Sequence, residues 1–315
     1  MSPTSAALGA ALRAAGLHPR ALAAWAGTDR LSALEHAERP AATPAAAVLA
    51  LFVAGADVPA ALLARLDLDA LARAGLIDRT GEHVRARRAV LPIGEALVAC
   101  DRADAPATRE LVCWPDDSSY HLARAIPPGR RARWIDLGCG SAFAPLCRPA
   151  LADAIVAADL NARAVELAAL GAALSGLPHI HAVHADLGEG LAGGAELVTC
   201  NAPIPAASGE PMWRATTGDF VARAYEHAAR LVAPRGTVVV HAALDALAPV
   251  VAALPGERVV VAYTPAGAHR EFAVAWWQPG GEARHVAARR ALDTARPHLD
   301  HADRDAALAG ALPLL

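Results

Sequence analysis

The chain has 315 residues, a formal net charge of −3 at pH 7 and hydrophobic residues at 55% of its positions, of which few are aromatic. Because domains usually run to about 100–200 residues, this length predicts one catalytic domain and a smaller module. Both signs of charge are interspersed, so the chain lacks the overall basic character that attracts phosphate backbones. A nucleic-acid partner therefore stays an alternative that the charge does not favour.

The residue types exclude several kinds of catalyst and cofactor. The chain contains no lysine, which excludes a P-loop lysine, a Schiff-base lysine and a lysine general base. Its five cysteines form no CxxC pair, so we expect no metal and no disulfide scaffold. We find neither a secretory signal nor a run of roughly 20 strongly apolar residues, and we expect a cytoplasmic protein without membrane contact. Abundant alanine and missing lysine are typical of a GC-rich bacterial genome.

Residues 1–105 are predicted to form a mainly helical N-terminal domain. Apolar periodicity predicts helices over residues 44–55, 59–66 and 66–75, and two strand-like runs follow around a turn at Thr80. Three helices followed by a β-ribbon is the order of elements in a winged helix. The sequence therefore predicts a winged-helix-like module.

The charges of this module leave its role open. Arg85, Arg87 and Arg88 would form the wing of a DNA-binding module. Acidic residues of the same segment, among them Asp78 and Glu82, would repel phosphates. A packing module or a lid over the substrate is the preferred interpretation.

Residues 106–315 are predicted to form an α/β catalytic domain, beyond a boundary near residues 101–109. Strand-like and helical segments alternate there, which predicts a Rossmann-like parallel sheet with right-handed crossovers. Seven strands are predicted in all. The last two, at residues 257–265 and 271–279, are expected to pair as an antiparallel hairpin at the edge of the sheet. The tail from His285 onward is expected to be helical.

The residues that could bind a ligand come directly after the predicted strands. In an open α/β sheet, ligands bind beyond the carboxyl ends of the strands. We therefore expect the following residues to meet at one edge of the sheet: Asp136, Gly138, Gly140, Asp159, Asp186, Asn201 and Pro203.

The glycine loop and the acid that follows it indicate a nucleoside ligand other than a nicotinamide dinucleotide. Phe143 stands where the dinucleotide fingerprint would need its third glycine, which argues against a dehydrogenase. Asp159 closes the second strand about 20 residues after the loop, where an acid binds a ribose diol through charge-assisted hydrogen bonds. The alternative role for Asp159 is a helix N-cap, which Asn161 could serve instead.

The motifs DLGCGSA, AADLN, HADL and CNAPIP follow one another within residues 110–280. This ordered set resembles class I S-adenosylmethionine-dependent methyltransferases. The resemblance implies that S-adenosylmethionine is the cofactor, that Asp136 orients its methionine amino group, and that Gly138 and Gly140 let the backbone approach it.

The same resemblance assigns the second and third motifs to the nucleoside. It implies that Asp159 holds the ribose hydroxyls and that the adjacent Leu160 also belongs to the cofactor-binding residues. It also implies that Asp186 and Leu187 contact the amino group and the face of the adenine. Charged hydrogen bonds of this kind contribute about 1.5–3 kcal/mol each.

The segment Asn201-Ala-Pro-Ile-Pro resembles the Asn-Pro-Pro-aromatic signature of the HemK-like, small-domain branch, which methylates planar amino or amide nitrogens. The resemblance implies that Asn201 and Pro203 are catalytic. It implies that the asparagine oxygen and the next backbone carbonyl accept hydrogen bonds from the target NH₂, while Asn201 also borders the cofactor. The signature is altered, because Ala202 replaces its first proline and Ile204 replaces its aromatic residue.

Three further residues are candidate substrate contacts. Trp213 could supply the missing aromatic ring, although a loop tryptophan is also a common packing anchor. Asp117 and Tyr120 belong to a segment that resembles the helix entry before the first motif. They become contacts if this segment folds over the cofactor, and the alternative is that Asp117 or Ser118 caps a helix.

Methyl transfer to an amino or amide nitrogen is the first functional hypothesis. The second is a methyltransferase for a small specialised metabolite, with the N-terminal domain as its lid. The third is a DNA-binding regulator that senses the cofactor. An oxygen acceptor would make a general base useful, and His181, His184 and His241 lie near strand ends, where a structural role is the alternative. The sequence leaves the methyl acceptor and the oligomeric state open.

Overall fold

The computed structural model describes residues 4–28, 30–31, 34, 41–204 and 218–315. The N-terminal residues include three helices whose starts follow from the sequence. They are α1 (Ser5–Ala14), α2 (Pro19–Ala26) and α3 (Pro44–Phe52). The side chains of Thr4 and Thr43 accept hydrogen bonds from backbone N–H groups of α1 and α3, which satisfies groups that a helix start leaves unpaired.

Short helices and strands complete the N-terminal part: β1 (Val58–Pro59), a 3₁₀ helix (Ala60–Leu63), α4 (Leu68–Arg73), β2 (Ile77–Thr80), β3 (His83–Ala86), β4 (Ala89–Ile93) and β5 (Ala96–Cys100). Strands β1, β3 and β2 form one antiparallel sheet, and β4 pairs with β5 in a separate hairpin. Four strands thus follow α4 where the sequence predicted two runs around the turn at Thr80. The second run divides into β3, β4 and β5, and it folds back at Gly94, a glycine with positive φ. The winged-helix assignment stays a prediction.

The remaining elements form the α/β part of the chain. They are α5 (Asp117–Ala125), β6 (Arg131–Leu137), α6 (Phe143–Cys147), a 3₁₀ helix (Pro149–Leu151), β7 (Ala152–Asp159), α7 (Ala162–Ser175), β8 (Ile180–His184), β9 (Ala195–Asn201), α8 (Phe220–Leu231), β10 (Val232–Ala243), α9 (Leu244–Ala252), β11 (Glu257–Tyr263), β12 (Phe272–Gln278), β13 (Arg284–Arg289) and α10 (His301–Leu308).

Within the described residues, the central sheet has eight strands in the order β13-β11-β12-β10-β9-β6-β7-β8. Neighbouring strands are parallel except at β12, which is antiparallel to both β10 and β11. The predicted α/β fold with a mostly parallel sheet is confirmed, and the β11–β12 hairpin is antiparallel as expected.

Two details of the predicted sheet are wrong. The sheet has eight strands instead of seven, because Arg284–Arg289 pairs in parallel with β11 where a helical tail was expected. This strand also moves the hairpin away from the edge. An edge strand leaves a row of backbone N–H and C=O groups without partners, and β13 supplies partners for β11. The helix of the tail begins only at His301.

The sheet is buried on both faces. On β6, Trp134 belongs to one hydrophobic cluster, while Ile135 and Leu137 belong to the cluster on the other side. This follows from the two-residue repeat of a strand. The N-terminal helices extend the first cluster: Gly9 lies against the backbone of Leu174 on α7, where an added Cβ would stand 1.8 Å from the carbonyl oxygen. The core therefore runs without interruption from α1 to the sheet.

Candidate active site

A cavity of about 330 Å³ lies where the carboxyl ends of β6, β7, β8 and β9 meet. The structure brings together there all the residues that the sequence predicted to bind the cofactor or to act in catalysis: Asp136, Gly138, Gly140, Asp159, Leu160, Asp186, Leu187, Asn201 and Pro203. Their roles stay predictions, but their convergence follows from the parallel sheet.

The glycine loop presents its backbone to this cavity. Gly138 and Gly140 have φ values of +62° and +53°, which lie in the left-handed region that glycine enters without cost. A Cβ added at Gly140 would meet no protein atom within 4 Å, so this position faces open space. The loop can therefore lie directly against a ligand.

Asp159 connects the end of β7 to the glycine loop. Its Oδ2 accepts a hydrogen bond from the N–H of Gly140, and its Oδ1 accepts one from the N–H of Asn161, both at 2.8 Å. Burial raises the pKa of Asp159. Asn161 caps α7 by accepting a hydrogen bond from the N–H of Arg163, so the helix does not need Asp159 as its cap.

Asp136 is a buried carboxylate that Thr199 holds by a hydrogen bond. Thr199 Oγ1 donates to its Oδ1 at 2.5 Å, and Trp134 Nε1 donates to Thr199 Oγ1 at 2.7 Å. Burial raises the pKa of Asp136 to about 7, since the charged form has lost its water. A cationic ligand group beside Asp136 would restore the ionised form.

Asp186 is held by a residue that the sequence did not indicate. Arg223 of α8 donates to its Oδ2 at 2.7 Å, and both side chains line the cavity. The pair joins positions 37 residues apart, so no local pattern marks it. The adjacent Leu187 is buried and has φ +50°, whereas Leu160 is 53% exposed.

Asn201 ends β9 and is held from two sides. Its Nδ2 donates to Ser118 Oγ at 2.8 Å, and its Oδ1 lies 2.8 Å from His241 Nδ1. His241 Nε2 lies 2.8 Å from the hydroxyl of Tyr263. Burial lowers the pKa of His241 to about 3. The sequence marked His241 as a strand-end histidine, and its pairing with Asn201 follows from the register of β9 and β10.

The structure places two of the three substrate candidates, Asp117 and Tyr120, outside the cavity lining. Asp117 lies in the first turn of α5 and pairs with Arg30 at 2.8 Å and with His298 at 3.0 Å. Tyr120 stacks on His298, with ring centroids 5.1 Å apart. Among the described residues that line the cavity, neither is present. The N-cap of α5 is Asp116, which precedes both of the predicted caps, Asp117 and Ser118. Trp213 lies outside the described residues.

The three arginines that the sequence placed in the wing have carboxylate partners. The pairs are Arg85 with Asp57 and Asp104, Arg87 with Asp78, and Arg88 with Glu166. Ion pairs at the protein surface contribute little to stability, so a phosphate could compete for the exposed Arg85 and Arg87. Acidic neighbours nevertheless offset the positive charge that a wing would present.

The cavity residues fit S-adenosylmethionine. The buried carboxylate of Asp136 suits an ammonium group, and the open position at Gly140 admits a ligand against the backbone. Acidic side chains beyond β7 and β8, Asp159 and Asp186, lie on the wall of the same cavity. In the part of the chain that the structure describes, no group of three histidine, cysteine or carboxylate side chains could hold a metal ion. Nor does any helix there have the length and apolar character to cross a bilayer.

The fold and the site are those of an S-adenosylmethionine-dependent methyltransferase. Residues 114–247 match the family model of the methyltransferase small domain, and this family implies S-adenosylmethionine as the cofactor. The match begins just before α5 and includes the glycine loop, the three acids and Asn201. No curated protein matches the chain.

Several solved structures share part of this fold. A 16S rRNA methyltransferase from T. thermophilus (RsmC), in complex with AdoMet and guanosine, is 19% identical; the alignment covers 63% of this chain and 46% of that one, with a TM-score of 0.44. A predicted O-methyltransferase from Agrobacterium tumefaciens is 19% identical over 58% of this chain and 86% of that one, with a TM-score of 0.43. Trm5 from Methanocaldococcus jannaschii, in complex with adenosine, is 16% identical over 60% of this chain and 55% of that one, with a TM-score of 0.41. The alignment thus spans about half the length of the first of these proteins.

Proposed function

We propose that this methyltransferase transfers a methyl group to an amino or amide nitrogen that Asn201 positions. The observation that carries the proposal is the place of Asn201 in the cavity wall, between Ser118 and His241. An asparagine side chain has two lone pairs on its oxygen and two N–H groups. The bond to Ser118 uses one N–H group and the bond to His241 uses one lone pair. One N–H group and one lone pair therefore remain for the edge of a planar substrate.

The cofactor would occupy the other end of the same cavity. When bound, S-adenosylmethionine supplies a methyl group on an electrophilic sulfonium. Asp136 would bind the ammonium group, and Asp159, which the N–H of Gly140 holds in place, would bind the ribose hydroxyls. Asp186 and Leu187 would border the adenine. Alignment of two bound reactants can supply roughly 7–11 kcal/mol of a barrier, so holding the nucleophile in line is the main catalytic task.

The cavity lining favours a nitrogen acceptor over a hydroxyl. Among the described residues that line it, none is a histidine, tyrosine or lysine. His241 is neutral at physiological pH because burial lowers its pKa to about 3, and both of its ring nitrogens already have partners. The nitrogen must lose a proton when it gains the methyl group. A nitrogen that has gained the methyl group is a strong acid, so the weakly basic, exposed carboxylate of Asp116 on the cavity wall can accept this proton. A neutral hydroxyl would need a stronger base during the transfer.

The test uses cell extract and a methyl donor that carries a deuterated methyl group. Mass spectrometry should find the label on nitrogen in a product that forms only with the enzyme. Asn201→Ala should reduce label transfer by about 100-fold or more, while affinity for S-adenosylhomocysteine stays within about twofold. Ser119→Ala is the matched control, because Ser119 lines the cavity without bonding Asn201 through its side chain. Label on oxygen, or full transfer by Asn201→Ala, would contradict the proposal.

A small metabolite acceptor is a second candidate that one observation favours. The N-terminal segment contacts the catalytic part close to the cavity, where Arg30 pairs with Asp117 and Trp114 Nε1 donates to the carbonyl of Leu31 at 2.8 Å. These contacts would let the N-terminal domain close one side of the substrate site. Separating the labelled extract by size distinguishes the candidates, since a metabolite passes a small-pore filter and a methylated protein or nucleic acid does not.

A further inference from the structure

Five side chains form a continuous chain of hydrogen bonds through the acceptor side of the site. It runs from the buried Tyr263 to His241, Asn201 and Ser118, each step 2.8 Å, and ends on the exposed carboxylate of Asp116 at 2.5 Å. We call these five residues the Asn201 relay. It crosses from β11 through β10 and β9 to the start of α5.

The exposed end of the relay fixes its direction. An ionised carboxylate only accepts hydrogen bonds, and a bond to it is stronger than one to a neutral oxygen. The single hydroxyl hydrogen of Ser118 therefore points to Asp116. Ser118 Oγ must then accept from Asn201, which places the NH₂ group of the amide toward Ser118 and its oxygen toward His241.

The buried end agrees with this direction. Burial raises the pKa of Tyr263, so its hydroxyl keeps its proton and can donate. Burial lowers the pKa of His241, so the neutral ring carries one N–H and one bare nitrogen. Because Asn201 Oδ1 can only accept, the hydrogen lies on Nδ1, and Nε2 accepts from Tyr263. Each of the four hydrogen bonds in the relay thus joins a donor to an acceptor.

We propose that His241 and Tyr263 are positioning residues, which hold the Asn201 amide in one of its two flip states for the methyl acceptor. This inference rests on the proposed function of Asn201. With the hydrogens of Ser118 and His241 placed as above, turning the amide by 180° would set its NH₂ against the N–H of His241 and its oxygen against the oxygen of Ser118. Both bonds would be lost unless His241 also changed its tautomer and Ser118 gave up its bond to Asp116. In this flip state, the second lone pair of Asn201 Oδ1 is free to accept a hydrogen bond from an N–H group of the substrate that receives the methyl group.

The backbone of His241 adds a second constraint. Its carbonyl oxygen accepts a hydrogen bond from the N–H of Ala202 at 2.9 Å. One residue therefore holds both the side chain of Asn201 and the peptide that follows it. His121 stacks on Tyr263, with centroids 4.0 Å apart, so a role in packing is the competing explanation that a test must separate.

The first test reads the tautomer directly. The full chain, labelled with ¹⁵N histidine and saturated with S-adenosylhomocysteine, is studied by long-range ¹H–¹⁵N correlation from about pH 5 to pH 8. His241 should carry its proton on Nδ1 throughout, and Tyr263→Phe, which keeps the ring and removes the hydroxyl, should shift the Nε2 resonance. A proton on Nε2, a charged ring, or no response to Tyr263→Phe would overturn the proposal.

The second test compares two replacements of the histidine. His241→Asn keeps an N–H donor near the position of Nδ1, whereas His241→Leu keeps apolar volume without a donor. With extract and the deuterated donor, His241→Leu should lower the initial rate by about 100-fold and His241→Asn should recover most of it, with affinity for S-adenosylhomocysteine unchanged in both. Equal loss in both variants would show a packing role. If His241→Leu does not fold, Tyr263→Phe should still lower the rate several-fold, and an unchanged rate would overturn the proposal.

The two proposals can fail separately. If Asn201→Ala retains full label transfer, the proposed function of Asn201 is wrong, whatever tautomer His241 has. If Asn201→Ala abolishes transfer but His241 carries its proton on Nε2, only the relay is wrong.

Discussion

Replacing Gly140 with alanine tests whether the cofactor lies against the glycine loop. Gly140 has φ +53°, and in this left-handed region a residue with a Cβ costs roughly 1–2 kcal/mol. No protein atom lies within 4 Å of the added Cβ, so packing adds nothing to this cost. We expect the free energy of unfolding to fall by about 1–2 kcal/mol. The loop should still fold, because Ala142 already adopts φ +55° two positions later.

Gly140→Ala should also weaken the affinity for the cofactor, by more than the backbone strain alone explains. A methyl group placed in a filled contact costs about 1–3 kcal/mol, which corresponds to a roughly 5- to 150-fold weaker affinity. The matched control is Gly94→Ala in the turn between β4 and β5. Gly94 has φ +51° and no atom within 4 Å of an added Cβ, so its strain is the same.

Denaturant unfolding of both variants measures the strain, and calorimetry with S-adenosylhomocysteine measures the affinity. We expect similar losses of stability and a loss of affinity for Gly140→Ala alone. If Gly140→Ala binds S-adenosylhomocysteine as tightly as Gly94→Ala does, the ligand does not touch this loop, and the assignment of the cavity to the cofactor is wrong.

Three further predictions concern buried charges. The pKa of Asp136 is about 7, so its carboxylate ionises as the pH rises toward that value. The affinity of the protein for S-adenosylhomocysteine, whose ammonium group would face this carboxylate, should therefore rise by up to about tenfold per pH unit and level off above pH 7. Calorimetry from about pH 5 to pH 8 checks this, and Asp136→Asn should flatten the profile. Asp303→Ala should lower the free energy of unfolding by about 3–5 kcal/mol, since it leaves the buried Arg290 without the carboxylate that lies 2.7 Å away. The double variant Arg290→Met with Asp303→Leu should recover much of this free energy, which denaturant unfolding measures. Asp159→Asn turns an NH₂ group toward one of two backbone N–H donors, so we expect a loss of about 1–3 kcal/mol in the same assay, whereas the exposed Asp153→Asn should change little.

The sequence predicts the sheet well where strand and helix alternate, because each such unit carries its own apolar pattern. It fails at β13, where Arg284–Arg289 has two arginines and two alanines and reads as part of a helical tail. Pairing with β11 decides the conformation of this segment. In this pair, Arg284 lies opposite Glu257, which is 27 residues earlier in the chain. A contact of this kind is tertiary, so no local pattern reports it.

The site shows the same division between local and distant information. Glycines and acids at strand ends are visible in the sequence, because the end of a strand fixes where the next side chain lies. The residues that hold them are not. Ser118 reaches Asn201 across 83 positions, and Arg223 reaches Asp186 across 37. Only the folded sheet and α5 bring these side chains together.

The alteration of the asparagine signature has a structural counterpart. A proline after the asparagine would fix the backbone by its ring, but it has no N–H to donate. In this chain Ala202 stands at that position, and its N–H donates to the carbonyl of His241, whose ring bonds Asn201. The hydrogen bond from Ala202 to β10 therefore constrains the backbone after Asn201, as a proline ring would in the signature. This bond can form only because β10 lies beside β9 with His241 opposite Asn201. The same histidine therefore holds both the side chain of Asn201 and the backbone of the residue that follows it.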